Sequence, residues 1–579
     1  MLALIIALTL SWRKATTKGN GGNETIRPLG KAKGEQGGIM GRLRDIASRR
    51  YMPALALFFA GTILSSVICL GVLDGIPHVQ DEVAYIFQGK IFAEGRWWVP
   101  APEAPAQEFF NHEFIQMSEG RWFGKYPPGY PLMLAPGLWA GLPWLINALS
   151  AGVSLALIYM SGRLMFNRRV GAWAALTGLI SPWVLLMSGS YMSHPTGMMW
   201  SALFLFSLAR MHSPPERDAG IPMDVQGGLH KARRIDVIIW PLLGGGAIGM
   251  LFITRQLTAV GIGLGAAVWA VGLLAFEGDR RLERLLQLGM IVAGFVPFLL
   301  LMLYDNRQLT GNWLDFPQNV DSQLGFGPGI GSPQGHTPAM GAFNVLLFWR
   351  TLVPLFNGWP APLAMAPIAL GLFAWVVDGS KRWVKWDVLL WLCWFCLVAS
   401  YVFWWSSTTI YGPRYWYEGM PFLLLVAGRG VDVLGRVAHR CSLVLVPRSR
   451  ALASRLTWVV PGIIVGMLSI YNLIQTEPHQ FGLYQGYNDI TPTALRNAEA
   501  AHLSNALVFV QLRPPPHSLR DYGKVFFAND PLLQGNIVYA RDQGREANLS
   551  LLPMFSGRQP YWLPLDGPPV EGVGDTDGP

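Results

Sequence analysis

The sequence predicts an all-α polytopic membrane protein of about 11–13 transmembrane helices, closed by a small α/β extracytoplasmic C-terminal domain. Three observations carry this. The 579 residues are 51% apolar and only 14% charged, against about 25% charged in soluble proteins. Apolar runs of about 20 residues recur along the chain, each long enough to cross a bilayer as a helix. Arginine and lysine gather in alternate connections between those runs, which sets these connections on the cytoplasmic side. The net charge of +9 therefore reads as an orientation signal and gives no reason to expect a nucleic-acid partner.

Residues 1–51 read as a basic, Gly-rich, disordered cytoplasmic tail, ending in Arg42, Arg44, Arg49 and Arg50 beside the first span. Residues 2–10 are apolar but too short to span. No basic residue precedes them and no small-residue cleavage site follows, unlike a signal peptide. The multi-span region covers 52–476, with its first span at about 53–73. Residues 74–129 then form a long polar, acidic and aromatic outside loop. The apolar stretch from Tyr130 is broken by Pro136 and by Gly141-Leu142-Pro143. That predicts a shallow half-helix followed by a span at about 143–162. Further spans are expected at about 170–187, 195–209, 237–253, 257–276 and 285–304. A second outside loop, 305–340, leads to another half-helix at about 342–356. The last spans fall at about 362–377, 388–405, 416–434 and 457–474. This arrangement puts the N-terminus in the cytoplasm, the C-terminus outside, and the protein in the plasma (inner) membrane.

Residues 477–579 change character. Apolar stretches at 506–510, 524–527 and 536–539, separated by turn residues such as Asn529-Asp530-Pro531, predict strands in a small extracytoplasmic domain. Residues 564–579 read as a disordered end. Cys393 and Cys396 have redox-like spacing, but no charge beside them would lower a thiol pKa, so they read as packing residues.

The chemistry-bearing residues lie in the predicted outside loops. Asp81 and Glu82 open an amphipathic stretch with Val83, Ile86, Phe87 and Ile91 apolar, which predicts a short helix on the membrane surface. The acids read either as a helix cap or as a general base held at the headgroup level. Lys125 precedes Tyr126-Pro127-Pro128-Gly129-Tyr130. It reads as an interfacial lysine among aromatic anchors, or as a cation for a phosphate oxygen. Arg255 and Arg414 each sit at an outer junction of apolar runs without an acidic neighbour in sequence, where an arginine calls for an anionic partner. His194 reads as a hydrogen-bonded interfacial histidine. Asn312 reads as a sugar-facing side chain or a turn residue. No nucleotide-type phosphate loop is present. His78 and His112-Glu113 lack metal-ligand spacing, so no cofactor is expected and a divalent metal has no support.

In order along the chain, Asp81-Glu82, Pro127-Pro128-Gly129-Tyr130, Thr254-Arg255-Gln256-Leu257-Thr258, Leu309-Thr310-Gly311-Asn312 and Gly412-Pro413-Arg414-Tyr415 resemble the GT-C fold, polyprenyl-phosphate-sugar-dependent glycosyltransferases. Among them it resembles the protein O-mannosyltransferases and the lipid A aminoarabinose transferases. The resemblance covers about residues 53–434. It implies an inverting transfer of a hexosyl or pentosyl group from a polyprenyl-phosphate sugar to a hydroxyl of an extracytoplasmic glycan, lipid or protein. It implies Asp81 as catalytic base with Glu82 beside it, and Arg255, Arg414 and Lys125 on the donor phosphate. Tyr85, Tyr130, His194, Asn312 and Tyr415 become the candidate substrate contacts. The family often has lysine directly before Pro-Pro, whereas Tyr126 intervenes here. A transporter or lipid-linked sugar flippase is the alternative, and it calls for charges deep within spans and for internal repeats. A non-catalytic envelope scaffold is the third reading.

Overall fold

The computed structural model describes residues 39–212, 226–276, 280–319, 335–375, 383–445, 449–514, 518–564 and 567–574. Residues 1–38, most of the expected cytoplasmic tail, lie outside these. The first helix, α1 (Ile39–Gly71), begins within the stretch expected to be disordered.

After α1 the chain enters the long loop, which is more structured than a surface-lying helix. Helix α2 (Gln80–Ala93) starts with Asp81 and Glu82 in its first turn, where carboxylates favour the helix dipole. A three-stranded antiparallel sheet follows, β1 (Val99–Pro100), β2 (Ile115–Ser118) and β3 (Arg121–Gly124), in the order β1-β3-β2. Helix α2 is buried on most of its circumference. Val83, Phe87 and Ile91 join the core of the C-terminal unit, while Tyr85 and Ile86 pack on Tyr130, Leu134 and Tyr191. The expected membrane-surface helix is therefore wedged between two protein layers. Its apolar residues have too many sides to serve one lipid face.

The broken stretch resolves as expected into α3 (Gly129–Trp139) and α4 (Leu145–Met165). Then come α5 (Arg168–Leu179) and α6 (Pro182–Gly189), bent by 58° where Ser181 caps the second helix. Helices α7 (His194–His212), α8 (Gln226–Thr254), α9 (Gln256–Phe276) and α10 (Arg281–Thr310) follow. After α11 (Pro338–Leu355) and a short apolar pair over Ala361–Leu372 come α12 (Val384–Val402), α13 (Met420–Leu445) and α14 (Arg450–Tyr471). Among the described residues seven helices are long and apolar enough to cross a membrane, or eight if the bent α5–α6 pair is one span. The higher sequence-based count includes spans at 195–209, 362–377 and 416–434, which fall on α7, the short apolar pair and α13. Helices α7 and α13 are largely buried against protein, and the pair is too short to cross a bilayer as one helix.

The C-terminal unit holds a four-stranded sheet. Strand β4 (Ala506–Val510) lies parallel to both β5 (Ile537–Arg541) and β6 (Gln559–Leu563), and β7 (Val570–Glu571) pairs antiparallel with β6. Helices α15 (Ser518–Phe526) and α16 (Arg545–Leu551) are the connections. Two expectations are corrected here. Residues 524–526 end α15 and Phe527 begins the turn after it, rather than forming a strand, because Tyr522, Val525 and Phe526 bury one face at helical spacing. Residues 567–574, expected to be disordered, include β7.

Candidate active site

Asp81 stands at the first turn of α2, at the junction of the loop, the helix bundle and the C-terminal unit. Its Oδ1 accepts a hydrogen bond from the Tyr126 hydroxyl at 2.7 Å. The same oxygen lies 3.5 Å from Nη1 of Arg414. Burial, and then the Asp81 carboxylate, push the Tyr126 phenol well above its ordinary pKa, so it remains a donor. Tyr126 is the residue that displaces Lys125 from direct contact with Pro127-Pro128, and the geometry gives it the place beside the acid.

Arg414 opens a short 3-10 helix, Arg414–Gly419, just before α13. Its Nη2 donates to Thr408 Oγ1 at 3.0 Å and to the Tyr415 hydroxyl at 3.2 Å. Its Nε and Nη1 are buried and make no hydrogen bond. Arg255 sits in the break between α8 and α9. Its Nε lies 3.0 Å from Glu418 Oε1, and its Nη2 reaches the Tyr401 hydroxyl at 3.4 Å. Tyr415 stands between the two arginines, with its ring 5.1 Å from the Arg414 guanidinium and 5.7 Å from that of Arg255.

Two glycines make these placements possible. A Cβ on Gly129 would lie 2.7 Å from the Ile253 carbonyl oxygen, so the Pro-Pro-Gly turn closes onto the end of α8 beside Arg255. A Cβ on Gly197 would lie 2.7 Å from Glu418 Cγ, so α7 leaves room for the Glu418 side chain.

Glu418 was not singled out in the sequence. It is fully buried, and its Oε1 contacts both Arg255 and, at 2.9 Å, Nδ1 of His194. Arg255 therefore has an anionic partner within the protein, brought from 163 residues further along by α13. The signal was present in Tyr417-Glu418, an acid at the threshold of an apolar run. His194, expected to be a hydrogen-bonded histidine, holds that acid from behind.

The other candidates divide by position. Tyr85 packs at a tilt on Tyr126 with ring centres 4.6 Å apart and edge-on to Tyr130 at 5.0 Å, and its hydroxyl meets Ser193 Oγ at 3.1 Å. Tyr130 lies behind it, buried, accepting from Asn147 Nδ2 at 3.0 Å. Lys125 is at the rim, its Nζ 3.6 Å from the Phe114 ring centre. Glu82, a third of a turn from Asp81, faces the interior instead. Its carboxylate accepts the backbone N–H groups of His78 at 2.6 Å and Tyr191 at 3.2 Å. Burial raises its pKa to about 8, against the opposing pull of the His78 N–H. This is a staple between loop and bundle, and it places Glu82 apart from the arginines. Asn312 follows the left-handed Gly311 at the end of α10 and bonds Asp315 Oδ2 at 2.9 Å, so it serves its own exposed turn.

No family model matches the chain, and no curated protein matches it. Among solved structures it is similar to ArnT from Cupriavidus metallidurans bound to undecaprenyl phosphate. The TM-score is 0.50 and the identity 16%, covering 87% of this chain and 89% of that one. The apo state of the same protein gives 0.50 and 15%, over 84% and 85%. Likeness across nearly the whole of both chains, with so few residues in common, is a likeness of architecture: this chain has the GT-C fold.

Proposed function

We propose that the protein is a membrane glycosyltransferase that moves a sugar from a polyprenyl-phosphate donor to a hydroxyl of an extracytoplasmic acceptor. The observation that carries this is the juxtaposition of Asp81 with Arg414, whose buried Nε and Nη1 make no hydrogen bond. Buried guanidinium N–H groups without partners are costly unless an anion meets them. The likeness in fold to a protein captured with undecaprenyl phosphate supports a lipid-linked phosphate as that anion.

The chemistry follows from these positions. The donor phosphate meets Arg414 and Arg255, with Tyr415 fixing the space between them. Asp81 takes the proton from the acceptor hydroxyl as that oxygen attacks the anomeric carbon. The bond to the phosphate oxygen breaks, and the electron pair leaves with the lipid phosphate. Attack opposite the leaving group inverts the anomeric centre. Charge grows on the phosphate oxygens, where fixed guanidinium groups stabilise it.

The test is transfer from a radiolabelled polyprenyl-phosphate sugar in proteoliposomes. Wild-type protein turns over and Asp81→Asn does not, while both insert and melt alike. Near-normal turnover by Asp81→Asn removes the base assignment. No turnover with any polyprenyl-phosphate sugar removes the glycosyltransferase reading.

A further inference from the structure

The donor chemistry calls for cations, yet the protein sets a carboxylate of its own against each of them. Asp81 Oδ1 lies 3.5 Å from Arg414 Nη1, and Glu418 Oε1 lies 3.0 Å from Arg255 Nε. Both acids are fixed. Asp81 rides on α2, whose far end is anchored by the Lys90 ammonium, donating to the carbonyls of Phe527 at 2.6 Å and Asn529 at 2.9 Å just beyond α15. Glu418 is fully buried, with His194 Nδ1 2.9 Å from the same oxygen that meets Arg255. On the helix that carries His194, Gly197 makes the recess for the Glu418 side chain: a Cβ there would lie 2.7 Å from Glu418 Cγ.

Asp81 has a task as base, whereas the transfer step itself uses no second carboxylate. A buried carboxylate is costly, and this one leaves Oε2 without a hydrogen bond. Its hold on Arg255 is also incomplete. Arg255 Nε is close enough for charge to act but makes no aligned hydrogen bond. Arg429, by contrast, grips Asp387 with two bonds, at 3.1 and 2.8 Å. With Nε turned to Glu418, Arg255 presents its Nη edge to an anion, and there Nη2 reaches the Tyr401 hydroxyl at 3.4 Å. Glu418 thus weakens the pull of Arg255 without covering the edge that receives a phosphate.

We infer that Glu418 is a resident counter-anion that expels the spent lipid phosphate. This rests on the glycosyltransferase reading, which supplies the change of charge that makes release a problem. The donor phosphate is a diester with one negative charge. Breaking its bond to the anomeric carbon leaves a monoester, whose second pKa of about 6 gives it nearly two charges at neutral pH. The acceptor's proton goes to Asp81, so the step itself conserves charge. When Asp81 passes that proton to solvent, two arginines face two carboxylates and a dianion. The site then holds one negative charge more than it held with the donor, and the product is repelled. With Glu418 neutral, that excess disappears and the arginines keep the product. Tighter binding of the carrier phosphate at every stage does not raise kcat, and slow release lowers it.

The test uses the full-length protein in nanodiscs. Titration reads undecaprenyl phosphate affinity, and transfer from a radiolabelled polyprenyl-phosphate sugar reads single and multiple turnovers. Glu418→Gln keeps the shape and removes the charge. It is expected to bind undecaprenyl phosphate about tenfold more tightly than the wild type, the worth of one close charge pair. Its first turnover should be at least as fast as the wild type's, with later turnovers slowed by about the same factor. The tightening should vanish in an Arg255→Ala background, because Glu418 acts through that arginine. A merely structural Glu418 gives the opposite, weaker binding and a lower melting temperature. Affinity equal to or below the wild type's in folded Glu418→Gln overturns the inference, and so does the absence of undecaprenyl phosphate binding by every protein tested. If Glu418→Gln does not fold, Glu418→Asp decides. It draws the charge back from Arg255 by one methylene, so a gain in affinity of about threefold supports the inference and no gain overturns it. Normal transfer without tightening removes the role of Glu418 and leaves the glycosyltransferase reading standing. Tightening without transfer from any polyprenyl-phosphate sugar keeps the competition at Arg255 and overturns the glycosyltransferase reading instead.

Discussion

The middle of α13 and the turn before it carry similar residues in different states. At the middle, each acid is closed by arginine. Arg429 grips Asp387 with two bonds, at 3.1 and 2.8 Å, between the rings of Phe166 and Trp383. Asp432, wholly buried, takes Arg169 at 2.6 Å and Arg436 at 3.1 Å. Before its N-terminal end, Asp81 and Glu418 meet Arg414 and Arg255 through single contacts of 3.5 and 3.0 Å. The difference teaches what each cluster is for. Closed pairs tie α5, α12 and α13 together. Under the proposed function, the loosely closed pairs keep cationic capacity for an anion that comes and goes.

Four substitutions sharpen or break this contrast. Asp81→Asn carries the largest expected effect, a loss of turnover of about a hundred- to ten-thousand-fold with melting unchanged; radiolabel transfer and thermal unfolding read the two separately. Asp432→Ala should do the reverse. It strands two arginines and costs about 3–5 kcal/mol of stability, read by detergent-solubilised melting, while undecaprenyl phosphate affinity per folded molecule holds. Arg414→Ala should lower that affinity about ten- to a hundredfold, the worth of charge-assisted hydrogen bonds, read by titration. If Arg414→Ala destabilised the protein as Asp432→Ala does and left affinity alone, the contrast between the two clusters would fail.

Glu82→Gln is the smallest change, visible in the slope of stability against pH. The Glu82 carboxyl has a pKa of about 8 in the folded protein against an ordinary 4.5, because it is buried. Between those values the folded state keeps a proton that the unfolded chain has released. Stability therefore falls as pH rises through that window and levels above it. Glutamine does not titrate, so the melting temperature of Glu82→Gln should lose this component of its pH dependence.

The sequence made the bundle legible because its signals are local. Pro136 and Gly141-Leu142-Pro143 separate α3 from α4 as expected, and Asp81 falls in the first turn of its helix. The order of Asp81, Arg255 and Arg414 pointed to one site, and the fold brings Asp81 and Arg414 into contact and puts Arg255 beside Tyr415. What was hidden depends on contacts distant in sequence. Glu418 was passed over within the expected span at 416–434, and only the fold brings His194 and Arg255 to it. Asp81 and Glu82 are indistinguishable as letters, and only the surroundings of α2 assign one to the arginines and the other to backbone amides. Residues 524–527 read as a strand because four apolar-rich positions fit either period, and the burial of Tyr522 decides for a helix.

The Lys90 clamp has a consequence for biogenesis. The ammonium that anchors α2 binds a carbonyl 437 residues further along the chain. During synthesis the acid-bearing helix is made early and must wait for nearly everything else to be inserted before its dock exists. Under the proposed function, an incomplete product ending before α15 would hold the base without its alignment, so it would be silent rather than indiscriminate towards lipid carrier.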